Sequence, residues 1–329
     1  MNGVDIGLFQ FDWDLTWQCF LMNSHGLIYG RYGARKSEKA DACLSKKGLL
    51  SVMQKALDQH KTDADKKGKW TPRFPEQIKS LPDNLRNGKE CIHCHQVGQF
   101  DRRDKGGGSP KEILEQYPLP DNIGLVMSSD KPDVIEKVDP ASPAGKAGIK
   151  DGDRIVSING TKVSSSGDIS YILNFLPKNP TVKIEIVRGA TTGSTVVETE
   201  MVQMTLTGDW RQRDISWRAS MWALRPIPGF GGPSLSAEEK THAALDPEKF
   251  AMRVNYIVDW GQDANIGNAV KKAGLQRGDI VISVAGKNDF ESELAMQTWF
   301  RLNIKPGGAA ELIVVRNGKQ ITIRIPVMP

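Results

Sequence analysis

At 329 residues, with 39% apolar and 25% charged side chains, the chain can form two or three domains, each with its own core. Its composition is not that of a disordered segment, and a net charge of +5 spread along the sequence speaks for a solvated surface rather than a nucleic-acid interface. No window approaches the roughly 18 apolar residues of a membrane span. The opening MNGVDIGLFQFDWD lacks the basic and apolar regions of a signal peptide.

Residues 6–33 read as strands around turns. An apolar stretch from Leu15 to Met22 leads to a turn at Asn23-Ser24-His25-Gly26 and then to Leu27-Ile28-Tyr29. A helix is expected from about Ser45 to Gln59, with Leu49, Met53 and Ala56 on one face. Cys19, inside an expected strand, reads as a buried small hydrophobe, and Cys43 lies in a charged loop; a disulfide between them is one option.

Cys91-Ile92-His93-Cys94-His95 is the sharpest chemical motif. Cys-x-x-Cys-His is the attachment pattern of c-type haem: two thiols form thioethers and the adjacent histidine supplies the proximal iron ligand. Gly88, Gly98 and the run Gly106-Gly107-Gly108 suit a chain wrapped closely around a macrocycle. His60 continues the stripe of the preceding helix and is the expected distal ligand, with Met53 or Met127 as alternatives. Two rival readings stay open: a zinc site on Cys91, Cys94 and a histidine, and a thiol or disulfide pair. One covalent haem c is the expected cofactor, with His95 and His60 on the metal. That attachment chemistry implies an extracytoplasmic, periplasmic setting.

The C-terminal two-thirds contains a repeat. Ala147-Gly148-Ile149-Lys150-Asp151-Gly152-Asp153 recurs as Ala273-Gly274-Leu275-Gln276-Arg277-Gly278-Asp279, and Ile155, Ser157, Ile158 and Gly160 align with Val281, Ser283, Val284 and Gly286. Each copy reads as a short helix closed by glycine, a Gly-Asp turn, an alternating strand, an amphipathic helix and a strand pair. The helices are expected at Ala144–Ala147 and Ala269–Ala273, then on Ile169, Ile172, Leu173 and Leu176 and over Glu293–Leu302.

The phrase A-G-[IL]-x-x-G-D-x-[IV]-x-x-[IV]-x-G resembles PDZ domains, particularly those of bacterial periplasmic proteases. The resemblance implies peptide binding by strand addition, with a terminal carboxylate held on a glycine-rich loop. In the first copy it places Ile123, Gly124, Leu125 and Val126 at loop and strand, and Ile169, Ile172 and Leu176 on the groove wall. In the second, Gly229-Phe230-Gly231-Gly232 stands for the loop, followed by an insertion and a strand from Arg253 to Val258. The proteases' Gly-Asn-Ser-Gly-Gly nucleophile motif does not occur and no catalytic triad is seen, which points away from a serine protease and towards an electron-transfer or binding protein. Phe11-Asp12-Trp13-Asp14-Leu15-Thr16-Trp17, followed by Ile28-Tyr29-Gly30-Arg31-Tyr32-Gly33, resembles the C-terminal half of a thioredoxin-like domain, as in a planctomycete-type family joining thioredoxin-like and PDZ modules. The usual Cys-x-x-Cys unit before that point is missing.

The expected fold class is therefore α+β multidomain. It comprises a truncated thioredoxin-like α/β domain (1–65), a haem-binding segment (66–120), a PDZ-like partly open β-barrel (121–207), a Trp/Arg connector (208–225) and a second PDZ-like barrel (226–329). The connector, with Trp210, Arg211, Arg213, Trp217, Arg218, Trp222 and Arg225, reads as domain packing with cation–π contacts, or as a partner for a haem propionate. The leading functional expectation is an exported monohaem cytochrome whose PDZ-like grooves dock protein partners or peptide C-termini and which exchanges electrons with redox partner proteins. Against it stand a non-redox peptide-binding scaffold, whose Cys-x-x-Cys-His is structural or binds zinc, and a thiol oxidoreductase.

Overall fold

The computed structural model describes residues 2–37, 39–88, 90–105, 109–189 and 199–329. They fold as two compact units, one running to Ser220 and the other comprising Met221–Pro329.

In the first unit, β1 (Cys19–Met22) and β2 (Ile28–Tyr32) form an antiparallel ribbon. Helix α1 (Lys46–Asp63) packs beside it and starts where Ser45 Oγ accepts from Gly48 N at 2.9 Å, an N-cap that satisfies one orphan donor of the first turn. The turn between the strands serves the other end of the helix. Asn23 Nδ2 donates to Ala64 O (2.9 Å) and Lys66 O (2.8 Å), while its Oδ1 accepts from His25 N and Leu27 N. The helix buries Gly48, Val52 and Ala56 and leaves Leu50, Met53 and Leu57 exposed; of the expected stripe Ala56 is buried, Leu49 half-buried and Met53 exposed. A truncated thioredoxin-like domain was expected over residues 1–65; the strands there form a two-stranded ribbon that gives no support for one.

Three short helices follow, α2 (Asp83–Arg86), α3 (Cys94–Asp104) and α4 (Pro110–Glu115). Ile6, Ile78, Leu81, Leu85, Ile92 and Val97 make a small core beneath them.

The first repeat copy then begins. Strands β3 (Leu125–Met127) and β4 (Ile135–Val138) pair antiparallel, and α5 (Pro143–Lys146) is capped by Ser142. A four-stranded sheet has the order β6-β5-β7-β8, from β5 (Arg154–Ile158), β6 (Thr161–Lys162), β7 (Thr181–Val187) and β8 (Thr199–Thr205). Helix α6 (Ser166–Asn174) crosses it and seals a core of Ile, Leu and Val.

The second unit repeats this plan. Strand β9 (Phe230–Gly231) pairs with β11 (Tyr256–Ile257), and the inserted helix α7 (Ala237–His242) lies between β9 and β10 (Met252–Arg253) in sequence. Helices α8 (Ala264–Lys272) and α9 (Glu293–Asn303) flank a sheet of order β10-β12-β13-β14, with β12 (Ile280–Val284), β13 (Ala309–Arg316) and β14 (Lys319–Pro326). The expected single strand Arg253–Val258 is split: its start joins one sheet and its end another.

The sheets of both copies are small and open, in place of the partly open barrels expected. Strands β4 and β5 are joined near their ends by main-chain bonds, Ile135 N to Asp153 O and Ile155 N to Asp133 O, each 2.9 Å, and Gly152 N to Ile135 O at 2.8 Å. The Gly-Asp phrase explains itself in both copies. Arg188 reaches Asp153 at 2.7 Å and Gly148 O at 2.8 Å; Arg316 reaches Asp279 at 2.6 Å and Gly274 O at 2.7 Å. Each aspartate also accepts the main-chain N–H of Lys150 or Gln276 at 2.9 Å. A buried carboxylate thus ties the turn to the strand pair, which is why both copies carry it.

Candidate peptide-binding grooves

The first groove is defined by β3 and α6. Gly124 precedes β3 with φ of 89°, and a Cβ there would run into Ser142 Oγ, so only glycine fits. Gly124 O accepts from Asp139 N at 3.0 Å, and by antiparallel alternation the main-chain groups of Leu125 turn away from β4 towards the free edge. That edge is where an added strand would pair. Of the groove residues expected, Ile123, Leu125 and Ile169 are fully buried and Ile172 nearly so, all within the core. Leu176 is half-buried and packs against the same core, just past the end of α6. These side chains therefore support the groove from beneath.

What borders the edge is a cavity of about 220 Å³ between Val126, Met127 and Ser166 on one side and Ala34, Lys36 and Cys43 on the other. The chain's own N-terminal segment roofs the groove. Ser165 Oγ donates to Arg31 O, Asp168 accepts from Arg31 N at 3.0 Å, and the Arg31 guanidinium lies 3.6 Å from the Tyr171 ring centre. Ser45 Oγ donates to Ser129 O (3.0 Å), and Lys36 pairs with Asp121 (3.6 Å). Burial pushes the Asp168 carboxyl up to about 6, although Arg31 opposes this.

The segment is anchored further upstream. The wholly buried Arg218 donates to Asp12 (2.8 and 2.6 Å) and Asp14 (2.8 Å), and Arg213 adds a 2.7 Å bond to Asp12. The connector's Trp210 donates to Lys178 O at 2.8 Å. The connector thus packs as expected, but its main partners are acids more than 200 positions earlier.

The second groove lies between β9 and α9. Gln297 Nε2 donates to Phe230 O at 2.8 Å and to Glu293 Oε1 at 2.9 Å, tying helix to strand. Beside this tie a cavity of about 280 Å³ is bordered by Trp222, Arg225, Gly229, Phe230, Trp260 and Arg301. Arg301 was not singled out in the sequence; its only signal is a charge four residues after Gln297 beside Trp299 and Phe300.

The Cys-x-x-Cys-His residues sit at the start of α3, at the surface. Cys91 and His95 are exposed, Cys94 half-buried, and the rings of His93 and His95 stack with centres 5.9 Å apart. His95 borders a cleft of about 210 Å³ that includes Trp13, Asp14, Arg73, Asp101, Arg102 and Lys105. The donors fit covalent haem attachment, but this charged cleft is smaller than the roughly 300–1,000 Å³ of apolar ligand pockets. His60 is not brought to it: its Nδ1 lies 2.8 Å from the Tyr29 hydroxyl. Met53 is on the exposed face of α1 and Met127 borders the first groove. Gly88 takes a positive φ and Gly98 lies within α3; Gly106, Gly107 and Gly108 are outside the described residues. Among the described residues no group of three or more His, Cys, Asp or Glu is placed to hold a metal ion. All four cysteines are free thiols, so Cys19 and Cys43 are not bonded to each other, and burial pushes both of these thiols up.

Comparison with known proteins gives this geometry a class. Residues 122–199 match the PDZ domain family, so the first copy is a PDZ domain. The chain is also 24% identical over 212 residues to a "Probable periplasmic serine endoprotease DegP-like" of Marinomonas sp. (strain MWYL1), a distant relative; the match covers 64% of this chain and 40% of that protein. Solved structures with partial similarity include the HtrA3 PDZ domain bound to a phage-derived ligand, FGRWV (22% identity, TM-score 0.18, 25% of this chain and 86% of that one). The HtrA-type protease AlgW with a decapeptide is another (13% identity, TM-score 0.25, 45% and 56%).

Proposed function

We propose that this chain is a peptide-binding adaptor that works outside the cytoplasm, taking extended peptide ends through its PDZ grooves. The observation that carries the reading is the PDZ match at residues 122–199, in which the Gly124 turn leads into a strand with a free edge. The peptide-bound HtrA-type structures and the periplasmic description of the DegP-like relative support ligand class and location. No helix is long and apolar enough to cross a membrane among the described residues.

The first groove works under a roof. A strand added at β3 would enter the cavity that Ala34, Lys36 and Cys43 now cover, so binding requires these three residues to move aside. The test is fluorescence anisotropy with labelled peptides ending in a free carboxylate, against the intact chain and against Lys36→Ala. Free-ended peptides should bind, amidated ones at least about tenfold more weakly, and Lys36→Ala should bind more tightly than wild type. Equal binding of free and amidated peptides would count against the reading.

A second reading attaches one haem c through Cys91 and Cys94 with His95 on the iron. It is supported by the motif's spacing; the cations of the adjoining cleft are already engaged, Arg73 and Lys105 with Asp101 and Arg102 with Gln116. The haem would supply single-electron transfer to redox partner proteins. Absorbance of protein matured with the haem-attachment machinery decides it: without a reduced α-band the reading falls.

A further inference from the structure

Helix α1 presents a face that its unit leaves in solvent. Lys46, Leu50, Met53, Leu57 and Lys61 are spaced four, three, four and four residues apart, which sets them in one row along the helix, and all five are exposed. Leu50 is 53%, Met53 42% and Leu57 59% exposed. The packing face of the helix, Gly48, Val52 and Ala56, lies roughly a third of a turn away. An apolar row of two turns thus stands in water with a lysine at each end.

The net charge, which reads as spread along the sequence, gathers around this row. Residues 46–70 hold seven lysines, three aspartates and no arginine, a net +4 of the +5 carried by the whole chain. Lys46 and Lys47 stand at the start of the row. Lys66, Lys67 and Lys69 stand beyond its end, where Asn23 holds Lys66 O and Gly68 N donates to His25 O at 3.1 Å. Four of the seven have acidic partners: Lys47 with Asp130 (3.5 Å), Lys55 with Asp133 (2.5 Å), Lys61 with Asp58 (2.7 Å) and Lys66 with Asp63 (2.8 Å). Lys46, Lys67 and Lys69 make no ion pair among the described residues. Trp70 follows, 38% exposed; its indole N–H donates to Asp5 at 2.8 Å, so its polar edge is satisfied within the protein while part of the ring stays in solvent.

Charge and residue type choose the occupant. Pairing with α1 of a second copy would set Lys46 against Lys61 if antiparallel about Met53, and like against like if parallel, so charge opposes self-association. The cations are all lysine, a hydrated point charge on a flexible stem, whereas protein interfaces enrich arginine and deplete lysine. A lipid surface asks for no fixed geometry: an apolar row enters the headgroup boundary and lysine stems extend from it to anionic headgroups. We infer that this face of α1 docks on an anionic phospholipid surface, with Leu50, Met53 and Leu57 entering the interface and the surrounding lysines meeting headgroup phosphates. The inference depends on neither groove.

The test is co-sedimentation of the intact chain with vesicles of phosphatidylcholine alone and of phosphatidylcholine with about one-third phosphatidylglycerol. The mixed vesicles should bind the chain, and the neutral ones at least about tenfold more weakly. Leu50→Gln with Leu57→Gln, and separately Lys46→Gln with Lys67→Gln and Lys69→Gln, should each weaken binding about tenfold. Both sets should keep the wild-type melting temperature, since none of these side chains is buried; if one set does not fold, the other decides. Lys305→Gln with Lys319→Gln, exposed in the second unit, should bind as wild type does. No binding to the mixed vesicles, equal binding to both kinds, or binding that survives the leucine substitutions would overturn the inference, the last leaving only a solvated cationic face. An equal loss in the second-unit variant would overturn it too, as general attraction of a basic chain. Poly-glutamate bound as tightly as the mixed vesicles would assign the face to an acidic polypeptide instead.

Discussion

Replacing Arg218 with methionine tests how the roof over the first groove is held. The guanidinium is fully buried and bridges Asp12, Asp14 and the Gln116 carbonyl. After Arg218→Met, Asp12 keeps Arg213 at 2.7 Å, but Asp14 keeps only neutral donors: Ser220 N (2.9 Å), Ser220 Oγ (2.6 Å) and Gln116 Nε2 (3.2 Å). Breaking a buried pair costs about 3–5 kcal/mol, and the remaining donors place this case near the lower end, about 3 kcal/mol. For a unit of this size that lowers the melting temperature by roughly 6–12 °C. Scanning calorimetry of the first unit's transition is the assay. Adding Asp14→Asn should recover much of the loss, because the uncompensated charge is then removed. A loss below about 1 kcal/mol, or no recovery in the double variant, would refute the argument that charge pairing fixes the N-terminal segment.

Other outcomes follow from the same structure. Asp168 has a folded pKa of about 6 against 3.8 unfolded, so its burial penalty is fully present above pH 6 and is relieved as pH falls towards 4; the stability of wild type relative to Asp168→Asn should therefore rise over that window in urea titrations. Gly124→Val should abolish free-ended peptide binding and destabilise the first unit by about 1–3 kcal/mol, read by anisotropy and calorimetry, because its φ of 89° and the Ser142 contact leave no room for a side chain. Arg188→Ala and Arg316→Ala remove the partner of equivalent buried aspartates, so each should lower its own unit's melting transition by a similar amount; a large effect in one and none in the other would contradict the equivalence of the two turns.

The repeated turns were legible in the sequence because the glycines and aspartates that define them are local. Gly148 and Gly274 close helices, and Asp153 and Asp279 bond within three residues before reaching their arginines. Of the face expected on α1, Ala56 is buried but Met53 is not. Leu49, Leu50, Val52, Met53, Ala56 and Leu57 offer two overlapping stripes, and only packing against the ribbon selects Val52 and Ala56. Of the expected groove residues Leu125 lies on β3 and Ile169 and Ile172 on α6, while Ile123 precedes the strand and Leu176 follows the helix; strand alternation turns Leu125 inward and helix packing buries Ile169. The roof and its Arg218 anchor depend on pairs more than 200 residues apart, which no local pattern encodes. Arg301 stayed hidden for a related reason: a charge in a helix reads as solvated until its burial is known.

The most direct measurement is the anisotropy titration of the intact chain with a C-terminal peptide library, each member with a free or an amidated end. Saturable binding of free-ended peptides, weakened at least about tenfold by amidation and lost in Gly124→Val, is what a PDZ adaptor requires. A folded chain that binds no free-ended peptide, with and without Lys36→Ala to loosen the roof, would contradict it.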